Sequence, residues 1–390
     1  MAFRSIFTTP METRLSSTAT ERTSVSILEK IRKLMAERGY EALLISSPEN
    51  VAYAGGVSPP SQRIVRSRHA FVLVPADGPT HYVTIQLEAG LVRRRATADV
   101  IHDYQEFVDH PVDVAAKLVA SIGAGDGRVG IETSHLPADD VERLRTQLAN
   151  ADLKSADHDL EMLRLVKTPQ EIDTIGAIGR VAEEAAATAV AEASVGDAER
   201  DIGNRITELY AAGGGDGLTM LVVGAGERSA EPNAPPTNKT IADGDLIRID
   251  VIGTMMNYYS DVARTAIVGE PNDEQRKIWT LLEDIRNRAI DVMRPGVLTS
   301  DVYRIYAEAM DTAGLPKYHF LGHGLGVTLH EEPFISALHN VRLKPGMVIC
   351  VEPLCLFEGR YGLQIEDEIL VTEDGCEPIT NGGPLLRVGG

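Results

Sequence analysis

Two stretches decide the reading of this chain: Gly244-Asp-Leu-Ile-Arg-Ile-Asp250 and Gly346-Met-Val-Ile-Cys-Val-Glu352. In each, a glycine opens an apolar strand and a carboxylate closes it six positions later. The echo continues upstream. Val195-Gly196 followed by Asp201-Ile202 matches Pro295-Gly296 followed by Asp301-Val302, and each opens a helical pattern that runs to a glycine, Gly213 and Gly314. The spacing predicts two similar halves, each a helix pair followed by a hairpin, packed about a pseudo-twofold axis. A site between them would receive matching carboxylates from both.

In the first half, Leu246 to Val251 and Tyr258 to Ile267 read as strands joined through Gly253-Thr-Met-Met-Asn. A turn centred on Met255-Met256 sets Asp250 directly opposite Asp261, with Cβ atoms ~5 Å apart on one face. Two carboxylates that close on a buried strand pair repel unless a proton or a cation lies between them. The second half repeats the device. Glu352 ends one strand, Glu366 begins the next in Leu363-Gln-Ile-Glu-Asp, and Gly359 falls at the midpoint of a short hairpin loop.

His323 adds a nitrogen donor in Phe320-Leu-Gly-His-Gly-Leu-Gly, where glycines let the backbone pass close to a bound ion. One imidazole with the oxygens of Asp250, Asp261, Glu352 and Glu366 suits Mn²⁺, Co²⁺, Fe²⁺ or Zn²⁺, with manganese favoured. Five such residues exceed the needs of one catalytic ion and predict two divalent ions, ~3.5–4 Å apart. His319 and His330 flank His323 and are the candidates for moving protons or stabilising a tetrahedral intermediate.

Outward from this constellation, residues 25–160 read as an α/β domain. Strands are expected at Ala42-Leu-Leu-Ile-Ser, Ala70-Phe-Val-Leu-Val, His81-Tyr-Val-Thr-Ile and Arg128-Val-Gly-Ile-Glu, with helices at Ile27 to Ala36 and Ala138 to Gln147. The boundary with the catalytic domain, 161–390, lies near Arg164-Leu-Val-Lys-Thr-Pro-Gln-Glu. There Thr168, Pro169 and Glu171 make a capping box that starts an Ala-rich helix running to about Ala193. Residues 1–24, rich in Ser, Thr and Arg without an apolar core, read as a flexible tail.

The whole-chain numbers agree. A chain of 390 residues with 43% hydrophobic residues can fill two domain cores. A net charge of −19 argues against nucleic acid as a partner. No apolar run approaches the ~20 residues that span a bilayer. Cys350, Cys355 and Cys376 fit neither a zinc spacing nor a closed disulfide set, so a reduced, cytoplasmic compartment is expected. Short basic groups remain, among them Arg63, Arg66, Arg68 and His69.

With these residues in place, the chain resembles the creatinase, prolidase and aminopeptidase P group of the M24 metallopeptidases. The matching motifs are Asp250-x10-Asp261-Val-Ala-Arg-Thr, His319-x3-His323-Gly-Leu-Gly, His330-Glu-Glu-Pro, Val351-Glu352-Pro353 and Ile365-Glu366-Asp367. The resemblance covers residues 161–390 well and the N-terminal domain more loosely. It implies an α+β pita-bread catalytic domain behind an α/β domain of creatinase type. It also implies Asp250 and Asp261 on one ion, His323 and Glu352 on the other, and Asp261 and Glu366 bridging both. Glu352 would take up the proton of the attacking water. A homodimer follows by resemblance, with the N-terminal domain reaching towards the partner's site.

Two departures bear on the substrate. Asn233, in Pro232-Asn233-Ala-Pro-Pro-Thr, stands where the peptidases usually carry histidine, and Gln364 where they usually carry arginine. The expected activity is hydrolysis of an amide or peptide C–N bond, as in Xaa-Pro dipeptidase or aminopeptidase P. A non-peptide amide or cyclic C–N substrate, as in ectoine hydrolase relatives, is the alternative, and a lyase or a non-catalytic binding role is a third. With less positive charge at Asn233 and Gln364, Arg66 or Arg68 becomes the candidate clamp for a substrate carboxylate.

Overall fold

A computed structural model describes residues 26–389; the tail expected at residues 1–24 lies outside them. The N-terminal region is a six-stranded sheet in the order Val100–Tyr104, His81–Ile85, Phe71–Pro75, Ala42–Ile45, Arg128–Ile131, Asp152–Ser155. Its central strands are buried on both faces, as a near-continuous apolar run such as Ala42–Ile45 requires. Period-2 alternation sorts them. Leu44, Phe71, Leu73, Val83 and Ile85 pack with Val112, Val119 and Leu144 from the helices Pro111–Ser121 and Ala138–Gln147. Leu43, Ile45, Val72, Val74 and Tyr82 pack on the opposite side with Ile31, Met35, Val51 and Leu160. Each such side chain contributes ~1.5–3 kcal/mol on full burial. The two edge strands, Val100–Tyr104 and Asp152–Ser155, are largely exposed, and no clean apolar alternation announces them.

The capping box closes as expected: Thr168 Oγ1 accepts from the Glu171 N–H at 3.3 Å, and the Thr168 N–H donates to Glu171 Oε2 at 2.7 Å. The helix Pro169–Glu192 follows, then Glu199–Ala212 and the antiparallel strands Gly217–Ala225, Leu246–Met255 and Tyr258–Ile267. The second half repeats the plan with helices Asp273–Val292 and Thr299–Ala313. Its five-stranded sheet has the order Glu331–Ser336, Phe320–Gly324, Val348–Val351, Asp367–Val371, Cys376–Pro378. The repeat is exact in small details. Bridges Ala198↔Thr240 and Leu298↔Arg342 occupy equivalent places, and Gly244 and Gly346 both turn into their strands at φ 85°, a left-handed conformation that a side chain would strain.

Two apolar cores back the two halves, the second also taking in Leu246 and Ile267 of the first hairpin, and the halves meet along a seam of strands. The Glu366 N–H donates to Ala263 O at 3.1 Å, Arg264 Nη1 donates to Glu366 O at 2.6 Å, and Thr265 Oγ1 donates to Gln364 O at 2.8 Å. The Asp261 N–H donates to Glu368 Oε1 at 3.1 Å. A second contact ties the N-terminal region to the duplicated half. Arg164 Nε and Lys167 Nζ each lie 3.0 Å from Glu331, whose side chain is 1% exposed, and Arg164 also reaches Asn50. No helix among the described residues is long and apolar enough to cross a membrane.

Candidate metal centre

The hairpin Leu246–Met255/Tyr258–Ile267 corrects the expected register. Its turn is Met256-Asn257, both at positive φ (49° and 69°), rather than Met255-Met256. Asp250 therefore pairs with Ala263 and Asp261 with Ile252. The aspartates are diagonal rather than directly opposed. An offset of two residues keeps both on one face. Left-handed geometry at two successive positions is the mark of a two-residue hairpin turn, and only Asn257 advertises it.

The second pair matches expectation. Val351 pairs with Asp367 and Leu354 with Gln364 in one continuous register, so Glu352 and Glu366 fall opposite one another where the ladder breaks. Gly359 lies in the loop between Phe357 and Tyr361 at φ 71°. Glu366 sits in this break, between the strands Tyr361–Gln364 and Asp367–Val371, rather than within a strand.

All five residues converge at the seam. His323 Nε2 lies 3.6 Å from Asp261 Oδ2, 3.4 Å from Glu352 Oε1 and 3.9 Å from Glu366 Oε1. Its Nδ1 is 3.0 Å from Gly324 O, which holds the proton there and turns the Nε2 lone pair towards the carboxylates. Ligand atoms of Asp250, Asp261 and Glu366 lie within 4.8 Å of one another. Asp250 Oδ1, Asp261 Oδ1, Glu366 Oε1 and His323 Nε2 are buried without a hydrogen-bond partner among the described residues. Burial pushes the Asp261 and Glu366 carboxyls well above the ordinary range, and neighbouring carboxylates push them further. Asp250 is raised by burial too, against the opposing pull of Arg248. Acidic groups so placed and unpartnered fit a divalent-ion site by donor chemistry and by burial.

Around them the structure places the remaining sequence candidates. The His330 ring stacks on His323 with centroids 3.8 Å apart; desolvation and the neighbouring His323 push its pKa down to about 4, while its outer edge meets solvent. His319 is exposed just before the strand Phe320–Gly324, and Asn233 is exposed in the loop after Pro232. Gln364 is buried, and its Nε2 lies 3.4 Å from both Glu352 Oε2 and Glu366 Oε2. Arg68 forms a two-pronged pair with Glu106, and Arg66 lines a cavity with Glu49, Gln62, His69 and His135.

Arg248 is one residue that sequence reasoning missed. The charge counted as lost at Gln364 is present beside it: Arg248, 2% exposed, donates from Nη1 to Gln364 Oε1 at 2.9 Å. Its place two residues before Asp250 on the same strand face was the available signal. Glu368 was missed as well; buried behind Asp261, it is pushed up to about 8, chiefly by desolvation.

A buried carboxylate–imidazole cluster at the seam of a duplicated α+β fold defines a metal-dependent hydrolase. The model of metallopeptidase family M24 matches residues 173–373, and that of the creatinase/prolidase N-terminal domain matches residues 27–166. The chain is 31% identical over 357 residues to an Xaa-Pro dipeptidase of Pyrococcus furiosus, covering 90% of this chain and 97% of that protein. It is 30% identical over 349 residues to a probable dipeptidase, PepE, of Mycobacterium tuberculosis, covering 89% and 91%. The crystal structure of dipeptidase PepE from Mycobacterium ulcerans superposes with a TM-score of 0.80 at 29% identity, covering 93% of this chain and 97% of that one. The chain belongs to metallopeptidase family M24, and its catalytic half has the pita-bread fold.

Proposed function

We propose that this protein is a dinuclear hydrolase of C–N bonds in small amides or dipeptides, of the kind its relatives named Xaa-Pro dipeptidase represent. In this reading Asp250, Asp261, His323, Glu352 and Glu366 hold two divalent ions, with manganese favoured. The observation that carries it is the set of buried, unpartnered donor atoms of Asp250, Asp261, Glu366 and His323. When bound, such ions supply Lewis acidity and make a water nucleophilic near neutral pH. Glu352 takes the proton released as that water attacks the carbonyl and passes it to the leaving nitrogen. His330, uncharged at neutral pH, donates an N–H hydrogen bond to the oxygen on which charge develops. His319, exposed just before the strand Phe320–Gly324, is the second candidate for moving protons or stabilising the tetrahedral intermediate. The protein acts as a cytoplasmic homodimer, with residues 161–390 as its catalytic domain.

A second reading, a neutral non-peptide amide or cyclic C–N substrate, is favoured by one feature. The Arg248 guanidinium is buried, with four of its five N–H donors engaged by backbone carbonyls and Gln364, so it is poorly placed to meet a substrate carboxylate. Arg66 or Arg68 is the proposed alternative clamp, Arg68 only by exchanging its partner Glu106 for the substrate. A hydrolysis screen of the Mn²⁺- and Co²⁺-loaded protein against dipeptides, N-acyl amino acids and cyclic amidines tests both readings. Turnover of dipeptides supports the first, turnover of cyclic amidines alone supports the second, and no turnover of any class refutes both.

A further inference from the structure

Arg248 carries chemistry that the five proposed ligands do not. Its guanidinium is inside the protein, and four of its five N–H donors are engaged in a fixed pattern. Nε donates to Ser229 O at 2.9 Å, and Nη2 donates to Pro232 O at 2.6 Å and also to Glu231 O. Nη1 donates to Gln364 Oε1. Guanidinium has donors and no acceptor, so Gln364 must present its oxygen to Arg248. That leaves the Gln364 amide NH₂ no choice but to face the other way. There it meets Glu352 Oε2 and Glu366 Oε2, each at 3.4 Å.

We propose that Arg248 is a positioning residue of the metal centre, acting through Gln364 to hold Glu352 and Glu366 in their liganding orientation. The same guanidinium gathers the carbonyls of residues 229, 231 and 232, and so fixes the loop that presents Asn233. Arg248 thereby joins the two departures from the resembling family, Asn233 and Gln364, into one unit. The cation lies behind the carboxylates instead of among them. It acts on Glu352 and Glu366 through an amide, and on Asp250 by its charge.

The inference rests on the metal reading given above, and the test separates the two. Mn²⁺ is titrated calorimetrically into the metal-free full-length protein, with circular dichroism and thermal melting of each variant alongside. Arg248→Met is expected to weaken Mn²⁺ binding by ~10- to 100-fold, the range for groups that orient metal ligands. Gln364→Arg is the discriminating change, because its sign depends on the background. With Arg248 present it sets two guanidinium groups side by side and should weaken binding. In the Arg248→Met background it returns a cation to the carboxylates and should recover most of the affinity. The melting temperature should recover less, because the carbonyls of residues 229, 231 and 232 still lack their donor. Should Arg248→Met fail to fold, Gln364→Met keeps the question open to test: it removes the relay and retains the cation, and is expected to weaken Mn²⁺ binding at least fivefold. Wild-type affinity in a folded Arg248→Met or Gln364→Met variant would overturn the inference alone. So would a Gln364→Arg effect of the same sign in both backgrounds. Failure of the wild-type protein to bind Mn²⁺ would overturn the metal reading and the inference with it.

Discussion

Replacing Glu331 by glutamine should cost this protein several kilocalories of stability without touching a proposed metal ligand. The Glu331 and Lys167 side chains are each 1% exposed, and Arg164 is 9% exposed. Both cations lie 3.0 Å from the carboxylate, and the Thr328 N–H donates to it at 3.0 Å. Neutralising the shared carboxylate leaves two buried cations without a counter-charge, a change that typically costs ~3–5 kcal/mol. Lys167 keeps Arg164 O and Arg164 keeps Asn50, so the lower end, ~3 kcal/mol, is expected here. At roughly 2–4 °C per kcal/mol, the melting temperature of Glu331→Gln should fall by about 6–12 °C. Burial alone would raise the Glu331 pKa, but Lys167 and Arg164 outweigh it and hold the group below the ordinary carboxylate range. Its stabilisation is therefore complete above the unfolded value of ~4.3 and is lost as pH falls through the depressed folded value. Calorimetric melts of both proteins from pH 7 to pH 3 should show a constant gap that narrows below about pH 4. A variant within ~1 kcal/mol of wild type at pH 7, or a gap undiminished at pH 3, would refute the reasoning.

Elemental analysis after Mn²⁺ loading should approach two ions per chain for wild type, and fall clearly for Asp261→Ala or Glu366→Ala; full occupancy in both would remove the proposed ligand set. His330→Ala should lower kcat by ~10²-fold or more with metal content intact, as for an oxyanion donor. Loss of an ion in that variant would make His330 a ligand, since its ring lies close to Asp261 and His323. Arg66→Lys and Arg68→Lys should raise KM for an acidic substrate with little change in metal content, and unchanged kinetics in the double variant would exclude this loop as the clamp.

Much of the catalytic half was legible because its signals are local. A glycine, an apolar run and a terminal carboxylate, repeated, need no knowledge of distant contacts, and neither does the Thr168 capping box. The Glu352/Glu366 register was readable because Gly359 marks the loop centre unambiguously. The Asp250/Asp261 register was not, because the true turn puts Met256 at positive φ, which its side chain disfavours and its identity does not reveal. The edge strands Val100–Tyr104 and Asp152–Ser155 escaped notice because largely exposed strands need not alternate cleanly. Arg248 escaped for a different reason. Its partners, Ser229, Glu231, Pro232 and Gln364, come from two remote segments, and only folding shows that they share one guanidinium.

The seam through the catalytic half has a thermodynamic consequence. Asp250 and Asp261 come from one side of it, and His323, Glu352 and Glu366 from the other. Any ion held by both sets rivets the halves together, and the unfolded chain offers no comparable cage. Occupancy and folding are then linked, and saturation at a hundred times the dissociation constant adds about 2.7 kcal/mol per site. With the proposed ions bound, resistance to heat, proteolysis and denaturant would become a function of free metal concentration, and a chelator would act as a mild denaturant as well as an inhibitor.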